Sequence, residues 1–210
     1  MLIGVLAVQG DVSEHVDALK RVCDRVEVVL VRKRGIIPEC DGIVIPGGES
    51  TTFCRLLEKE SIWDEIVEAV KRGVPVLATC AGLILLSKEV IDSAPGQRTL
   101  GVLNVKVRRN AFGRQRESFE AMVNVKDIGE YRGVFIRAPV VEEVENGVDV
   151  ISKLGDKIVG VRQNNIIGFA FHPELTDDTR IHSLFLDLVR AVEGRMMGSS
   201  SPQISNSPSS

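Results

Sequence analysis

The stretch from Val74 to Val90, VPVLATCAGLILLSKEV, decides the fold. An apolar strand pattern, VPVLAT, runs without a loop into an apolar helix pattern, AGLILLSKEV, and Cys80 sits at the junction. A strand turned sharply into a helix is a nucleophile elbow, which lifts its central side chain above the carboxyl edge of a sheet. Such a turn needs small neighbours, and Ala78, Ala81 and Gly82 supply them. The helix start behind the sulfur favours a thiolate. The amide N–H of Ala81 is left free to bind a developing oxyanion. An exposed thiol with a chemical role is therefore expected. Cys23, Cys40 and Cys54 lack that position and are read as structural thiols, the usual state of a free cysteine.

Upstream, LIGVLAV (Leu2–Val8) is a continuous apolar run, as in a strand covered on both faces. DVSEHVDALKRV follows, with Val12, Val16 and Leu19 at helical spacing. VEVVLV and GIVI read as two more strands, and ESTTFCRLLEKESIWDEIVEAVKRG as one or two helices ending at Gly73. Strands alternating with helices predict the α/β class: a doubly wound, mostly parallel open sheet with helices on both faces. The pattern changes after about Leu100. GVLNVKVRRN, SFEAMVNV, GVFIRAP, DVISKL, KIVGVRQ and NIIGFAF read as short strands, a C-terminal antiparallel region. VRQNNIIG reads as a hairpin turning at Asn164–Asn165. A last helix presents Ile181, Leu184, Phe185, Leu188 and Val189 on one face. Residues 1–194 form one domain in this reading, and the Ser/Pro-rich residues 195–210 a disordered tail.

Composition narrows the function. Of 210 residues, 44% are hydrophobic, enough for a sizeable core, and the formal net charge of −3 argues against nucleic-acid or anionic-membrane partners. The clusters RKR (Arg32–Arg34) and RNAFGRQR, the latter with Phe112 as a stacking candidate, read as solvated faces. No apolar run reaches the ~18 residues of a spanning helix. The apolar N-terminus lacks a basic region before it, so a core strand is expected there and not a signal peptide. The four cysteines form no C-x-x-C and lie far in sequence from His172 and His182, so neither a metal site nor a disulfide framework is expected. A cytoplasmic location follows as an expectation.

A cysteine nucleophile needs a base, and the chain offers His15, His172 and His182. His172 ends the strand NIIGFAF in the motif FHPE. On an extended chain His172 and Glu174 point to one side, so Glu174 is expected to hold the imidazole as the acidic member of a triad. His182 lies off the apolar stripe of its helix and is read as solvated. His15, after the first strand, has no carboxylate at useful spacing and ranks behind His172. In DGIVIPGGESTTF a short strand runs through Pro46, Gly47 and Gly48 into a helix. Paired glycines let backbone N–H groups approach a ligand, and those here are expected to complete an oxyanion hole with that of Ala81. The loop lacks the spacing of a phosphate-binding P-loop.

Taken in order, PGGEST, TCAG and FHPE resemble the motifs of class I, or triad, glutamine amidotransferases. AVQGDVSEH, PGGESTTF, ATCAGLILLSKE, LGVLNVKVRRNAFGRQRESFE, GVFIRAP and FHPELTDDTRIHSLF together resemble the glutaminase subunits of pyridoxal 5′-phosphate synthase. The resemblance implies hydrolysis of glutamine to glutamate and ammonia through a γ-glutamyl thioester, without a cofactor. It also implies delivery of that ammonia to a synthase subunit in a large hetero-oligomer. Carried over by motif, Cys80 is the nucleophile, His172 the base and Glu174 its orienter. Gly47 and Ala81 form the oxyanion hole. Gly48, Glu49, Ser50, Arg109, Ile136 and Arg137 hold glutamine, and Gln9 and Gly10 lie near the partner. From the residues alone, Arg108 competes with Arg109 for a substrate carboxylate. The resemblance further implies the hydrolase class and, through the assembly, the lyase class.

Other readings are a cysteine hydrolase of flavodoxin-like fold, an amidotransferase serving histidine or purine synthesis, or an inactive scaffold. In the first, the base usually follows the nucleophile locally, whereas residue 81 is alanine. RRNAFGRQ and FIRAP argue against the second, and the presence of Cys80, His172 and Glu174 against the third.

Overall fold

The computed structural model describes residues 1–93, 95–113 and 117–198, with side chains through residue 195. From the N-terminus, β1 (Leu2–Leu6), α1 (Val12–Val22) and β2 (Glu27–Val31) precede β3 (Gly42–Ile45). The helices α2 (Ser50–Lys59) and α3 (Trp63–Lys71) lead to β4 (Val76–Thr79) and α4 (Ala81–Leu86). Seven strands follow: β5 (Ser87–Ile91), β6 (Leu103–Arg108), β7 (Ser118–Val125), β8 (Gly129–Ile136), β9 (Val140–Val144), β10 (Asp149–Leu154) and β11 (Lys157–Gln163). Strand β12 (Ile166–Phe169) and α5 (Arg180–Gly198) complete the order.

The main sheet runs β2-β1-β3-β4-β12-β11-β10-β7-β8. Its first five strands are parallel, and β11 onward is antiparallel. Strands β5, β6 and β9 form a branch that joins the sheet where β9 meets β11. The parallel centre explains its own sequence. β3, β4 and β12 are buried at every position, which only continuous apolar runs tolerate. The chain goes from β1 outward to β2, then back across β1 to β3. Right-handed crossovers taken in opposite directions put α1 and the α2–α3 pair on opposite faces. The carboxyl ends of β1 and β3 part at that switch point, where such sheets bind ligands.

Close packing fixes the layers. α5 lies on β3 so tightly that a side chain at Gly42 would strike Val189 and Phe185. The first turn of α4 lies on β3 the same way, with Gly82 against the Ile45 carbonyl. An aromatic cluster joins the antiparallel extension to the strand bearing His172. Phe119 stacks on Phe135 at 4.9 Å, and Phe135 meets Phe171 at 5.4 Å.

One expectation changes, and two open readings are filled in. AGLILLSKEV is not one helix: α4 stops at Leu86 and Ser87 begins a strand. The helix ends because Ser87 Oγ donates to the Ile84 carbonyl, while the amides of Leu100 and Val102 take the carbonyls of Leu85 and Leu86. Pairing with β6 thus overrides local helical periodicity. VVEEV, unassigned from sequence, is β9. The stretch ESTTF…KRG resolves into two helices, because Ser61 takes φ 55° between them. The hairpin at Asn164–Asn165 forms, with Asn164 at φ 51°. Helix α5 continues to Gly198, past residue 194, and the remaining tail lies outside the described residues. No described helix is long and apolar enough to cross a membrane.

A methyl group at residue 82 meets backbone that has no room to move. Gly82→Ala is expected to destabilise the fold by about 1–3 kcal/mol, read as a lower denaturant midpoint at unchanged slope.

Candidate active site

Cys80 has φ 48° and ψ −103°, a conformation that costs a non-glycine residue of order 1–3 kcal/mol. The surroundings hold it there. Its amide donates to the Phe169 carbonyl at 2.8 Å, and its carbonyl accepts from Ile84 at 3.2 Å to open α4. The elbow is formed, but the thiol is only 6% exposed. It lies at the floor of a cleft and not on an open edge, because β8 closes over it. Its Sγ donates to the Ile136 carbonyl at 3.8 Å.

His172 follows β12 and is held by its own amide, which donates to the Val134 carbonyl at 2.8 Å. Its Nδ1 lies 2.8 Å from Glu174 Oε1 and 3.1 Å from Asp11 Oδ2. The His172–Glu174 contact forms as expected, but by another route. Pro173–Leu175 is a 3₁₀ turn, not extended chain, and the Leu175 amide returns to the His172 carbonyl. Burial opposes a charge on His172, but Asp11, Cys80 and Glu174 together outweigh it and raise the imidazole to about 12. Burial also pushes Glu174 up, against the pull of His172. The pair therefore shares a proton that stays on the imidazole at neutral pH. Asp11, His172 and Glu174 bring ligand-type atoms within 4.8 Å of one another. Since Nδ1 is the donor to these carboxylates, it has no lone pair to offer a cation.

Above the sulfur is a cavity of about 210 Å³. That is below the roughly 300–1,000 Å³ of drug-sized sites and suits a small metabolite. Of the expected residues, Gly48, Glu49, Ser50, Arg109, Ile136 and Arg137 line it with Cys80 and His172. Asp11, Ile84 and Asn110 line it too and were missed. Asp11 had a signal, since it follows Gln9–Gly10 at the carboxyl end of β1. Asn110 and Arg137 take φ 47° and 42°, so two further wall residues hold left-handed backbone. The two neighbouring arginines point to different surroundings. Arg108 pairs outward with Glu142 and Asp92, whereas Arg109 faces the cavity.

The glycine loop is shaped by close approach. A side chain at Gly47 would strike the His172 ring, and one at Gly10 the Gly47 carbonyl. Gly48, at φ 146°, abuts Gln9, whose Nε2 donates to the Glu49 carbonyl at 3.1 Å. Gln9 and Gly10 therefore brace this loop from behind. Ala81 is buried at the first position of α4. Ser50 Oγ donates to Gln97 Oε1 at 3.0 Å. The Glu49 carboxylate caps α2, accepting from the Thr51 and Thr52 amides. These bonds outweigh partial burial and lower it to about 2.

Two other histidines are placed differently from expectation. His182 is not solvated: it is fully buried, with Nε2 3.0 Å from His15 Nδ1. Its partner comes from α1, so the stripe of α5 alone gave no hint of burial. His15 does have a carboxylate nearby, Glu174 Oε2 at 3.4 Å. Cys40 and Cys54 are buried, and Cys54 Sγ donates to the Arg98 carbonyl, in keeping with structural roles. Residues 114–116 of the RRNAFGRQ motif lie outside the described residues.

The profile of the SNO glutamine amidotransferase family matches residues 5–191. A pyridoxal 5′-phosphate synthase subunit PdxT of Methanosarcina acetivorans is 56% identical over 196 residues, covering 90% of this chain and 98% of the relative. The subunit of the same name from Pyrococcus furiosus is 50% identical over 190 residues, covering 88% and 96%. A crystal structure of a glutamine amidotransferase superposes with TM-score 0.84 at 46% identity, covering 90% of this chain and 98% of the other. A GMP synthase subunit from Thermoplasma acidophilum shares the fold at TM-score 0.66 and 15% identity, covering 94% and 98%. The expected lyase class is corrected by these matches. They describe an amidotransferase, and "synthase" in the relatives' names belongs to the assembly of which they are subunits.

The Glu49 cap makes a pH-dependent contribution of known sign. Its carboxyl is depressed in the fold, so the stability it adds is present above about pH 4.5 and is lost as pH falls towards about 2. Wild type should exceed Glu49→Gln in thermal stability at neutral pH, and the gap should close over that window in a melting series.

Proposed function

Because the chain belongs to the SNO glutamine amidotransferase family, we propose that it hydrolyses L-glutamine to L-glutamate and ammonia. The ammonia passes to a synthase subunit that makes pyridoxal 5′-phosphate. The observation that carries this reading is the left-handed elbow at Cys80, set in a small cavity with His172 and its carboxylate.

The proposed chemistry uses groups of this chain and water. Arg109 and Arg137 offer charge-assisted bonds to the α-carboxylate of glutamine, and the Asp11 and Glu49 side of the cavity suits its ammonium group. The Cys80 thiolate attacks the side-chain amide carbon. Backbone N–H groups of Gly47 and Ala81 take the oxyanion. His172 begins the cycle protonated and gives its Nε2 proton to the departing nitrogen, so that ammonia leaves. Water then attacks the γ-glutamyl thioester, His172 accepts its proton, and the thiolate returns. Glu174 holds the imidazole through Nδ1, which keeps Nε2 directed at the reacting atoms. Gly48, Ser50 and Ile136 shape the glutamine pocket. Gln9 and Gly10 brace the loop that carries Gly47 and would pass partner contact to it. We assign residues 1–194 as the glutaminase unit. The free thiols suit a reducing cytoplasm.

The test measures ammonia and glutamate released from glutamine, with and without the synthase subunit. Wild type should release both, faster with the partner, and Cys80→Ala neither. A wild type silent in the complex, or an active Cys80→Ala, would reject the assignment. Glu174→Gln should lower kcat by roughly 10²–10⁴. Arg109→Met should raise KM about tenfold or more, the loss of one charged hydrogen bond, while Arg108→Met leaves it within about twofold.

A further inference from the structure

Behind the proposed triad lies a set of buried polar side chains that the reaction above does not use. His15 on α1 and His182 on α5 are both 0% exposed. His15 Nδ1 lies 3.0 Å from His182 Nε2. On its other side, His15 Nε2 is 3.2 Å from Thr79 Oγ1 and 3.4 Å from Glu174 Oε2. Among the described residues, five buried side-chain polar atoms lack a hydrogen bond, and three of them belong here: His172 Nε2, Glu174 Oε2 and His182 Nδ1. Orphaned buried groups are rare enough that such a concentration needs a reason.

Proton counting supplies one. Burial, then the neighbouring His182 and His172, hold His15 well below the usual imidazole value, and burial with Arg21 lowers His182 to about 4. Both rings are therefore neutral at physiological pH, and each carries one N–H. Between them only one arrangement suits an ionised Glu174. His15 must bear its proton on Nε2, facing Oε2, and so accept at Nδ1 from His182 Nε2–H. His182 Nδ1 is then a bare lone pair, which matches its lack of a partner. The opposite arrangement would aim the lone pair of His15 Nε2 at a carboxylate oxygen.

We propose that His15, set by His182, is a positioning residue for Glu174: its Nε2–H, hydrogen-bonded to the Thr79 hydroxyl, also faces Oε2 and favours the charged carboxylate, leaving Oε1 to His172. The inference rests on the glutaminase reading. Without the His15 N–H, Glu174 loses a dipole that favours only its charged form, and it takes up a proton more readily. The other charged or titratable groups facing this network are Asp11 before α1, Glu14, Asp17, Lys20 and Arg21 on α1, Tyr131 on β8, and Asp177 and Asp178 beyond the 3₁₀ turn. None of them replaces an N–H directed at Oε2.

The test is steady-state glutamine hydrolysis by the full chain with its synthase partner, between about pH 5 and 9. His15→Leu should lower kcat about tenfold or more with KM within about twofold, and move the acid limb of kcat/KM to higher pH. His15→Gln, whose side-chain N–H can reach Oε2, should recover most of kcat and return the limb. A His15→Leu variant with wild-type kcat and limb, or a glutamine variant no better than leucine, would overturn the proposal. Should His15→Leu fail to fold, imidazole ¹⁵N shifts of the wild type decide. Protons on Nε2 of both His15 and His182 support the proposal, and a His15 proton on Nδ1 sinks it. Those shifts also separate the two readings. A wild type with no turnover defeats the glutaminase assignment, while the tautomers still judge the network.

Discussion

The left-handed backbone at Cys80 is the constraint on which the rest of the site depends. A cysteine does not adopt it unaided, and α4, only six residues long, is too short to impose it. The strands on either side of β4 do. β12 takes the Cys80 amide through the Phe169 carbonyl, and β3 seats Gly82 against the Ile45 carbonyl. The strain is thus spread over parallel strands that are buried on both faces. The same register puts the ends of β1, β3, β4 and β12 at one level, and those ends carry Asp11, Gly47, Cys80 and His172.

Electrostatics complete what the backbone begins. His172 stands between Asp11 and Glu174, so a group that burial would discharge keeps its proton. Arg109 and Arg137 bring positive charge to the same cavity, with Arg109 3.9 Å from Glu49 Oε1. The cavity therefore offers both signs of charge to its proposed substrate, and its small volume limits the size of what enters.

Much of this was legible in the sequence because its signals are local. VPVLATCAG states strand, small residues and a cysteine at the turn in nine positions, and the Gly47–Gly48 pair announces a close approach. What escaped depends on partners distant in sequence. Nothing in AGLILLSKEV tells that β6 will capture its second half. His182 looked solvated because its partner, His15, lies 167 positions away. Asp11 read as a helix start, and its approach to His172 exists only once β1 and β12 share a sheet. The H-P-E geometry was right in outcome and wrong in path, since proline begins a tight 3₁₀ turn as readily as it stiffens a strand.

The position of β12 has a consequence for biosynthesis. It is the last strand among the described residues and yet lies at the centre of the sheet, between β4 and β11. While the nascent chain emerges, β1 to β4 can assemble with their order complete but with one side of β4 unpaired. That open edge is apolar on both faces, a template for pairing with a neighbouring molecule. It closes only when Ile166–Phe169 slides in, and the same event delivers His172. The strand that closes the open edge is thus also the one that brings His172, the proposed base, to Cys80.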